Sequence, residues 1–346
     1  MIVSPNYCMS SFLMYRMIAD QNHTFSKKIC PNFADVDFRR HYIRNSEELY
    51  ESLRRQVKAV TADKKAALAL SGGVDSAILA KFMPKGSTAY TFRCVVRGGV
   101  KVIDETQRAA QYAAQCGMVH KIVEIGWQDF ETYAPVLMRQ KGAPIHSIEV
   151  QIYKAALTAK ADGYETLLFG ENADVIYGGF SGLLSRDWMF GEFIERFSYV
   201  MPYQVLREPE LILEPYKKYE QKDGTCDVYR FLNDYYRRES LGSYMNACEA
   251  AGISFAAPFA NTVLGVPLDL ERIRAGEGKY FVREVFQSLY PGFNIPEKIP
   301  MPRPMEQWLK NWKGPMRPEF YPYCTKNLTG DQKWMVLALE WFLKEM

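Results

Sequence analysis

Six consecutive residues combine two glycines with oxygen-bearing side chains in an order that suits phosphate binding. Ser71, Gly72, Gly73 and Ser76 follow the apolar run of residues 66–70, and a second apolar run begins directly after them. Glycines let backbone N–H groups approach an anion closely, and the serine hydroxyls add further donors. A helix starting at the end of such a loop brings its positive dipole end to the same point. The pattern therefore predicts a buried strand, a phosphate loop and a helix start.

Asp75 lies inside this loop, where its carboxylate would repel a polyphosphate unless a divalent cation lay between them. We therefore expect Mg²⁺, which is typically held by one or two carboxylates together with phosphate oxygens. The loop lacks the lysine of the Gly-x-x-x-x-Gly-Lys-Ser/Thr pattern, which argues against a Walker-type loop. The structural alternative is a Ser/Gly turn that merely joins a strand to a helix.

A second acidic cluster follows another predicted strand, at residues 165–169. Glu171 and Asp174 come directly after that strand. Because ligands bind beyond the carboxyl ends of parallel strands, we expect these acids on the same rim as Asp75. Two carboxylates from distant parts of the chain, meeting over one polyphosphate, are what a bridging Mg²⁺ requires. A Glu-x-x-Asp pair standing alone would more often cap a helix.

The elements that must position these residues alternate between strands and helices. An amphipathic helix is expected over residues 46–60, beginning at an Asn45/Ser46 cap. The elements expected after it are strand 66–70, a helix from 77, strand 87–96, helix 104–116, strand 120–125 and strand 165–169. This alternation predicts an α/β fold with a doubly wound parallel sheet, followed by a helical C-terminal part. We expect two units: a small N-terminal lobe or arm over residues 1–45, and the main domain over residues 46–346.

Length and composition indicate a soluble globular protein. The 346 residues are about two domains' worth, and the formal net charge is only +3 with Lys and Arg scattered, which argues against nucleic-acid binding. No apolar run approaches the roughly 18 residues that a membrane span needs. The cysteines are odd in number and contain no Cys-x-x-Cys pair, which indicates a reducing compartment, the cytoplasm, and argues against a disulfide framework or zinc site. They are Cys8, Cys30, Cys94, Cys116, Cys226, Cys248 and Cys324.

The two motifs together resemble a known family. Residues 71–76 match the Ser-Gly-Gly-x-Asp-Ser signature of the PP-loop ATP pyrophosphatases, which split ATP into AMP and pyrophosphate. Residues 169–179 read Phe-Gly-Glu-Asn-Ala-Asp-Val-Ile-Tyr-Gly-Gly and are similar to the Gly-Glu-Gly-Ala-Asp-Glu-x-Phe-Gly-Gly of the asparagine synthetase family. That family includes β-lactam synthetases and lasso-peptide cyclases. The resemblance covers roughly residues 46–320 and identifies the main domain as a synthetase domain.

The resemblance implies a ligase that activates a carboxylate as its acyl-adenylate and lets a nitrogen nucleophile displace AMP. ATP and Mg²⁺ are the implied cofactors, with Asp75 and Asp174 as metal ligands. Glu171 would be the acid near the reacting carbonyl that orients or deprotonates the nucleophile. The residues implied for phosphate binding are Ser71, Gly72, Gly73, Asp75 and Ser76, and those implied around adenine and ribose are Leu70, Cys94 and Gly170.

Basic residues in the C-terminal half would supply charge for the phosphates and the reacting carbonyl. Lys279, four residues before Arg283, is similar to a family Lys that meets the α-phosphate and the departing pyrophosphate. A solvated basic helix face is the structural alternative. The family's second Lys lies in an Arg-x-Lys that this chain lacks. Spacing favours Lys298, whereas motif position favours Arg303, which would act by charge alone.

The chain departs from the family pattern elsewhere. The family's Glu-Gly-Ala-Asp-Glu reads Glu-Asn-Ala-Asp-Val from residue 171, and its Pro-Phe-Leu-Asp turn ends here in Asn261. Ile2 stands where the family's glutaminase domain has its nucleophilic Cys. We therefore expect no glutaminase activity, and nitrogen from free ammonia, a separate glutaminase partner or an amine on the substrate. The expected partners are small molecules, a carboxylate and this nitrogen donor, without nucleic acid or membrane; a homo-oligomer stays open.

Two other classes of function remain open at this point. One is a tRNA-thiolating or base-modifying PP-loop enzyme, which would need paired cysteines and a basic face. The other is a catalytically silent nucleotide-binding regulatory subunit, suggested by the missing Arg-x-Lys. His146 invites a role in acceptor binding, although a single His in an apolar stretch is more often a hydrogen-bonded core residue.

Overall fold

The structure is a computed structural model that describes residues 1–32, 40–98 and 101–345. The strands within those ranges are β1 (Ile2–Val3), β2 (His23–Thr24), β3 (His41–Ile43), β4 (Ala66–Ala69), β5 (Thr88–Cys94), β6 (Val119–Ile125), β7 (Thr166–Leu168), β8 (Ser254–Ala256) and β9 (Thr262–Leu264). Strands β1 and β2 pair with each other, as do β3 and β9. The remaining strands form one central sheet.

The central sheet has five parallel strands in the order β6–β5–β4–β7–β8. All four strands predicted from the sequence belong to it, so the α/β parallel-sheet prediction is confirmed. The chain runs outward from β4 through β5 to β6 and then returns to place β7 on the other side of β4. The crevice between β4 and β7 is therefore the point at which the strand order reverses, where open α/β sheets bind ligands.

The helices surround this sheet. Among the described residues they are α1 (Pro5–Tyr15), α2 (Ser46–Val60), α3 (Val74–Phe82), α4 (Thr106–Gln115), α5 (Trp127–Lys141), α6 (Ser147–Ala161), α7 (Ala173–Ile176), α8 (Phe190–Phe197), α9 (Glu214–Lys217), α10 (Val228–Phe231), α11 (Arg237–Ala251), α12 (Leu270–Arg274), α13 (Tyr280–Leu289), α14 (Met305–Trp308) and α15 (Gly330–Glu345). A π-helical turn, Leu232–Tyr236, joins α10 to α11. Within the described ranges, no helix combines the length and the apolar character that crossing a membrane requires.

Capping residues in the sequence predicted the ends of some helices closely, and α2 is an example. It begins at Ser46, and the side chain of Asn45 accepts a hydrogen bond from the Glu48 N–H at 2.8 Å. This satisfies one of the N–H groups that a helix start leaves unpaired. The predicted helix 104–116 is observed as Thr106–Gln115, and Gly117 beyond it has the positive φ of 65° expected after a helix end.

The side chains of β4 point alternately to the two faces of the sheet and pack in a separate core on each face. Ala67 and Ala69 belong to a core that also contains residues of α5, α6 and α15. Ala66 and Leu68 belong to a second core with residues of α2, α3 and α13. Successive side chains of a strand point to opposite faces, so an uninterrupted apolar strand serves both cores. The doubly covered sheet predicted from the sequence is therefore present.

The N-terminal residues contribute directly to these cores. In α1, Phe12 and Leu13 are fully buried and pack in the same core as Ala67. The Tyr15 hydroxyl donates to the carbonyl of Ile212 at 2.6 Å. Residues 33–39 lie outside the described part of the chain, and the division at residue 45 stays a prediction.

Candidate active site

The phosphate loop connects the end of β4 to the start of α3. The backbone N–H of Ser71 donates to the Ser76 hydroxyl at 3.0 Å, and the Gly73 N–H donates to the Ser71 hydroxyl at 3.1 Å. The two hydroxyls also lie 3.0 Å apart. These bonds hold the loop closed at the N-terminus of a nine-residue helix, where partial positive charge favours an anion.

Of the three acids predicted to share a rim, Asp75 and Asp174 converge on one ammonium group. Leu68 of β4 pairs with Leu168 of β7, so the loops that follow the two strands are neighbours. Lys279 Nζ lies 2.5 Å from Asp75 Oδ1 and 3.2 Å from Asp174 Oδ1. A second cation, Lys298, has its Nζ 3.2 Å from the same oxygen of Asp174. Two carboxylates and two ammonium groups thus alternate in one cluster.

The two carboxylates of this cluster differ in proton affinity. Burial raises the pKa of Asp75 to about 6, although the Lys279 ammonium opposes the shift. Burial also acts on Asp174, but Lys279 and Lys298 together outweigh it and hold the pKa of Asp174 below its usual range. Of the two acids, Asp174 is the one that Lys298 contacts, whereas the neighbouring Asp174 charge adds to the effect of burial on the pKa of Asp75.

Two residues beside the cluster have a left-handed backbone conformation without being glycine. Asn172 precedes α7 with φ 72°, and Lys279 precedes α13 with φ 60°. Such a conformation costs an L-residue about 1 kcal/mol, and Asn tolerates it best. The Asn that stands where the family pattern has Gly therefore fits the required turn. At Lys279 the strain accompanies an ammonium group placed between two acids.

Glycines allow the surrounding backbone to approach this cluster. A Cβ on Gly170 would lie 2.9 Å from Asp75 Cβ and from the backbone N of Ser76. A Cβ on Gly179 would lie 2.0 Å from Asp174 Oδ1. Both distances are far inside van der Waals contact, so only glycine fits at either position.

Lys298 and Arg303 occupy different places in the site. Lys298 contacts Asp174 and donates to the Gly179 carbonyl at 2.9 Å. Arg303 forms a two-pronged ion pair with Asp331, at 2.8 and 3.2 Å. Lys298 therefore lies within the carboxylate cluster, whereas the charge of Arg303 is already paired with an acid outside it.

Glu171 lies at the junction between the carboxylate cluster and α11. Its Oε1 accepts from the Ser240 hydroxyl at 2.5 Å and from the Asn172 amide at 3.1 Å. Two donors therefore fix the orientation of this carboxylate. Its place beside the cluster would allow it to accept a proton from a nucleophile that approaches along the cleft.

These residues line one cleft of about 800 Å³. Most sequence-predicted site residues line it: Leu70, Ser71, Asp75, Ser76, Gly170, Glu171, Asp174, Lys298 and Arg303. Lys279 reaches it through its contacts with Asp75 and Asp174. Cys94, predicted near the nucleotide, is buried, and its thiol donates to the Pro302 carbonyl at 3.0 Å. It thereby attaches the proline-rich segment before Arg303 to the end of β5.

We call the charged part of the cleft, formed by Ser71, Asp75, Asp174, Lys279 and Lys298, the phosphate end. The other part, the aromatic end, is formed by Arg16, His146, Tyr199, Tyr236 and Tyr244.

Arg16 of the aromatic end was not singled out in the sequence. Arg16 Nη1 donates to His146 Nε2 at 2.7 Å, and Arg16 Nη2 lies 2.9 Å from Glu239 Oε2. Arg16 Nη2 also donates to the Tyr199 hydroxyl. Burial and then the Arg16 charge hold the pKa of His146 well below its usual range, so the imidazole is neutral. Only the packing of α1 brings Arg16 here, and no local sequence signal marks it.

Comparison with known proteins gives one family match. A family model described as Asparagine synthase matches residues 47–318. No curated protein sequence matches the chain.

Solved structures give only distant similarities. An NH3-dependent NAD synthetase from Campylobacter jejuni, in complex with nitrate, is 14% identical over 39% of this chain and 61% of its own, with a TM-score of 0.27. The chain thus spans about three fifths of that enzyme. A U34-tRNA thiolase from Methanococcus maripaludis with a [4Fe-4S] cluster is 13% identical over 87% of this chain and 80% of its own, with a TM-score of 0.31. An NMN synthetase from Francisella tularensis is 10% identical over 71% of this chain and 93% of its own, with a TM-score of 0.29. None of these similarities identifies a substrate.

The family match spans more than half of the chain and contains the phosphate loop, both acidic residues of the cluster and both of its lysines. The chain belongs to the asparagine synthase family.

Proposed function

We propose that this protein is a Mg-ATP-dependent ligase that adenylates a substrate carboxylate and forms an amide with ammonia or an amine, releasing AMP and pyrophosphate. The observation that carries the proposal is the convergence of Asp75 and Asp174, from loops after β4 and β7, on the Lys279 ammonium. The cluster lies beside a phosphate loop at the point where the strand order reverses.

The carboxylates suit a magnesium ion by the chemistry of their donors. Mg²⁺ prefers hard oxygen ligands and usually takes one or two carboxylates plus phosphate oxygens. Asp174 Oδ1 is buried and makes no hydrogen bond within the described residues, although two ammonium groups lie 3.2 Å away. Asp75 and Asp174 would hold the ion, which would neutralise phosphate oxygens when bound with ATP.

Lys279 and Lys298 would then act on the phosphates and the leaving group. In the first step an oxygen of the substrate carboxylate attacks the α-phosphorus, and the bond to pyrophosphate breaks. Negative charge collects on the departing pyrophosphate. Lys279, already held between the two acids, is placed to stabilise that charge, and the N-terminus of α3 adds its partial positive charge.

Glu171 and Lys298 would serve the second step. The nitrogen attacks the acyl carbon, the bond to AMP breaks, and a proton leaves the nitrogen. Glu171, oriented by Ser240 and Asn172, is the carboxylate placed to receive that proton. Lys298 would stabilise the oxyanion, because it lies within the cluster whereas Arg303 is paired with Asp331.

The alternatives gain no specific support from the site. A tRNA thiolase of the iron–sulfur type needs clustered thiols, and the described residues contain no group of three or more His, Cys, Asp and Glu side chains arranged to hold a metal. A silent regulatory subunit would not need the intact pair of acids.

Product analysis tests the proposal. Purified protein is incubated with ATP, Mg²⁺, ammonium and a broad panel of carboxylates, and the nucleotides are separated by chromatography. We expect AMP and pyrophosphate in equal amounts, dependent on one acid. Formation of ADP would indicate a different phosphoryl chemistry, and ATP binding without any turnover would favour the regulatory subunit.

A further inference from the structure

Two pairs of aromatic rings are among the residues that line the cleft. The rings of Phe169 and Tyr244 lie 5.0 Å apart, and so do those of Phe180 and Tyr236. Each pair meets edge to face, the arrangement that aromatic rings prefer. All four residues line the cleft; Phe180 and Tyr236 are half-buried, and Phe169 and Tyr244 are buried.

The spacing of residues at the start of α11 places this lining beside the reacting groups. Tyr236, which directly precedes α11, and Ser240 and Tyr244 within it recur every four residues and therefore share one side of the helix. The middle residue of the three donates to Glu171 at 2.5 Å. The aromatic rings thus flank the carboxylate proposed to receive the proton. A substrate whose carboxylate points to the phosphate end would lay the rest of its structure against these rings.

The charges at the aromatic end are already neutralised by the protein. Arg16 and Glu239 form an ion pair at 2.9 Å, and their side chains are only 7% and 3% exposed. His146 beside them is neutral. Arg303 is paired with Asp331, and Lys298, whose Nζ lies 4.5 Å from the centre of the Phe180 ring, is paired with Asp174. Arg196, the remaining Arg or Lys among the lining residues, is exposed to solvent. A second carboxylate on the substrate would lose its hydration here without gaining an uncompensated cation at the buried wall, which is unfavourable.

We infer that the substrate acid carries a bulky uncharged apolar group, aromatic or branched aliphatic, which packs against the rings of Phe169, Phe180, Tyr236 and Tyr244. A short dicarboxylic acid such as aspartate would leave this surface uncovered and would bury its second charge. The inference rests on the proposed function, because it concerns the acid that is adenylated.

The test compares matched acids. ATP–pyrophosphate exchange and equilibrium binding in the presence of a non-hydrolysable ATP analogue are measured for 3-phenylpropanoate and 4-methylpentanoate. The charged comparators are succinate, glutarate and aspartate. We expect the apolar acids to bind and exchange at least ten times better. Equal or better performance by the charged acids overturns the inference while leaving the proposed ligase intact. Failure of both apolar acids to bind overturns it as well, whatever the other acids do.

A pair of variants assigns the effect to the aromatic rings. Tyr236→Ser removes a half-buried ring of the cleft, whereas Tyr203→Ser removes a tyrosine that is 53% exposed and does not line the cleft. We expect Tyr236→Ser to raise the KM for 3-phenylpropanoate about tenfold with a smaller change in kcat, and Tyr203→Ser to change neither. An unchanged KM in folded Tyr236→Ser, checked by its circular dichroism spectrum, contradicts the assignment.

Discussion

The two ends of the cleft are built on different principles. At the phosphate end, Asp75 and Asp174 follow parallel strands that are neighbours in the sheet, and their charges face each other across Lys279. At the aromatic end, Arg16 directly follows α1 and Glu239 belongs to α11, far apart along the chain, and their charges cancel in a buried ion pair beside the rings of Tyr199 and Tyr236. The first end holds charge available for a ligand. The second hides its charge, which suits recognition of an uncharged group.

The largest expected effect concerns the phosphate end. We predict that Asp75→Asn and Asp174→Asn each lower AMP formation at least a thousandfold, about 4 kcal/mol in the barrier, because each removes a proposed metal ligand. The rate of AMP release is the measurement. Asp187→Asn, at an acid that is 72% exposed, is the control and should keep full activity. Retained turnover in either cluster variant would remove the metal assignment.

At the aromatic end we expect a loss of stability. Glu239→Gln leaves the buried Arg16 without its counter-ion, which typically costs on the order of 3 kcal/mol. Urea unfolding measures the change. Glu345→Gln, which breaks the exposed pair with Arg139, should cost less than about 1 kcal/mol. Equal stability of both variants would show that the Arg16 pair is not a structural element of the cleft.

The close packing around Asp174 provides a steric test. Gly179→Ala places a Cβ against Asp174 Oδ1 and 2.7 Å from Lys279 Cδ, so the carboxylate must move. We expect AMP formation to fall about a hundredfold, equivalent to about 2.7 kcal/mol. Gly182→Ala, in the same loop, meets only Arg196 Nη2 at 3.9 Å and should be near wild type. If the two variants behaved alike, the position of Asp174 would not limit the rate.

The raised pKa of Asp75 predicts a pH-dependent difference in stability. Its pKa is about 6 in the folded protein and 3.8 ordinarily, so the folded state binds more protons between these values. Stability from this group is therefore present below about pH 4 and is lost as the pH rises through about 6. The Asp75→Asn variant has no titrating carboxyl at this position, so it does not undergo this loss of stability between pH 4 and pH 7. We expect the variant to gain about 2 kcal/mol over wild type between pH 4 and pH 7 in urea unfolding. A difference in unfolding free energy between variant and wild type that stays constant with pH would contradict the raised pKa of Asp75.

The smallest expected effect distinguishes Lys298 from Arg303, the two candidates for the cation that stabilises the oxyanion. Lys298→Ala should lower kcat about ten times more than Arg303→Ala, a difference of about 1.4 kcal/mol, because only Lys298 contacts Asp174. Single-turnover rates of amide formation give the comparison. The reverse order would assign the oxyanion to Arg303 and require its pair with Asp331 to open.

The phosphate end was largely predictable because its signals are local. The loop glycines after the apolar run of β4 and the acids after β7 each mark the end of a strand. Parallel strands bring such ends to one edge of the sheet. The short strand β8 was missed, since Ser254–Ala256 offers only three residues of pattern. Lys279 was expected from resemblance, but its left-handed backbone conformation could not be read from its residue type.

The sequence by itself determined four of the five strands of the central sheet, the phosphate loop and the acids beside it, because periodicity and turn chemistry act over a few neighbouring residues. Only the tertiary structure decided that Arg16 would meet Glu239, that Lys298 and not Arg303 would lie against Asp174, and that Ser240 of α11 would donate to Glu171. These contacts join segments up to 223 residues apart. Their geometry depends on how whole helices pack on the sheet, and no short stretch of sequence encodes that packing.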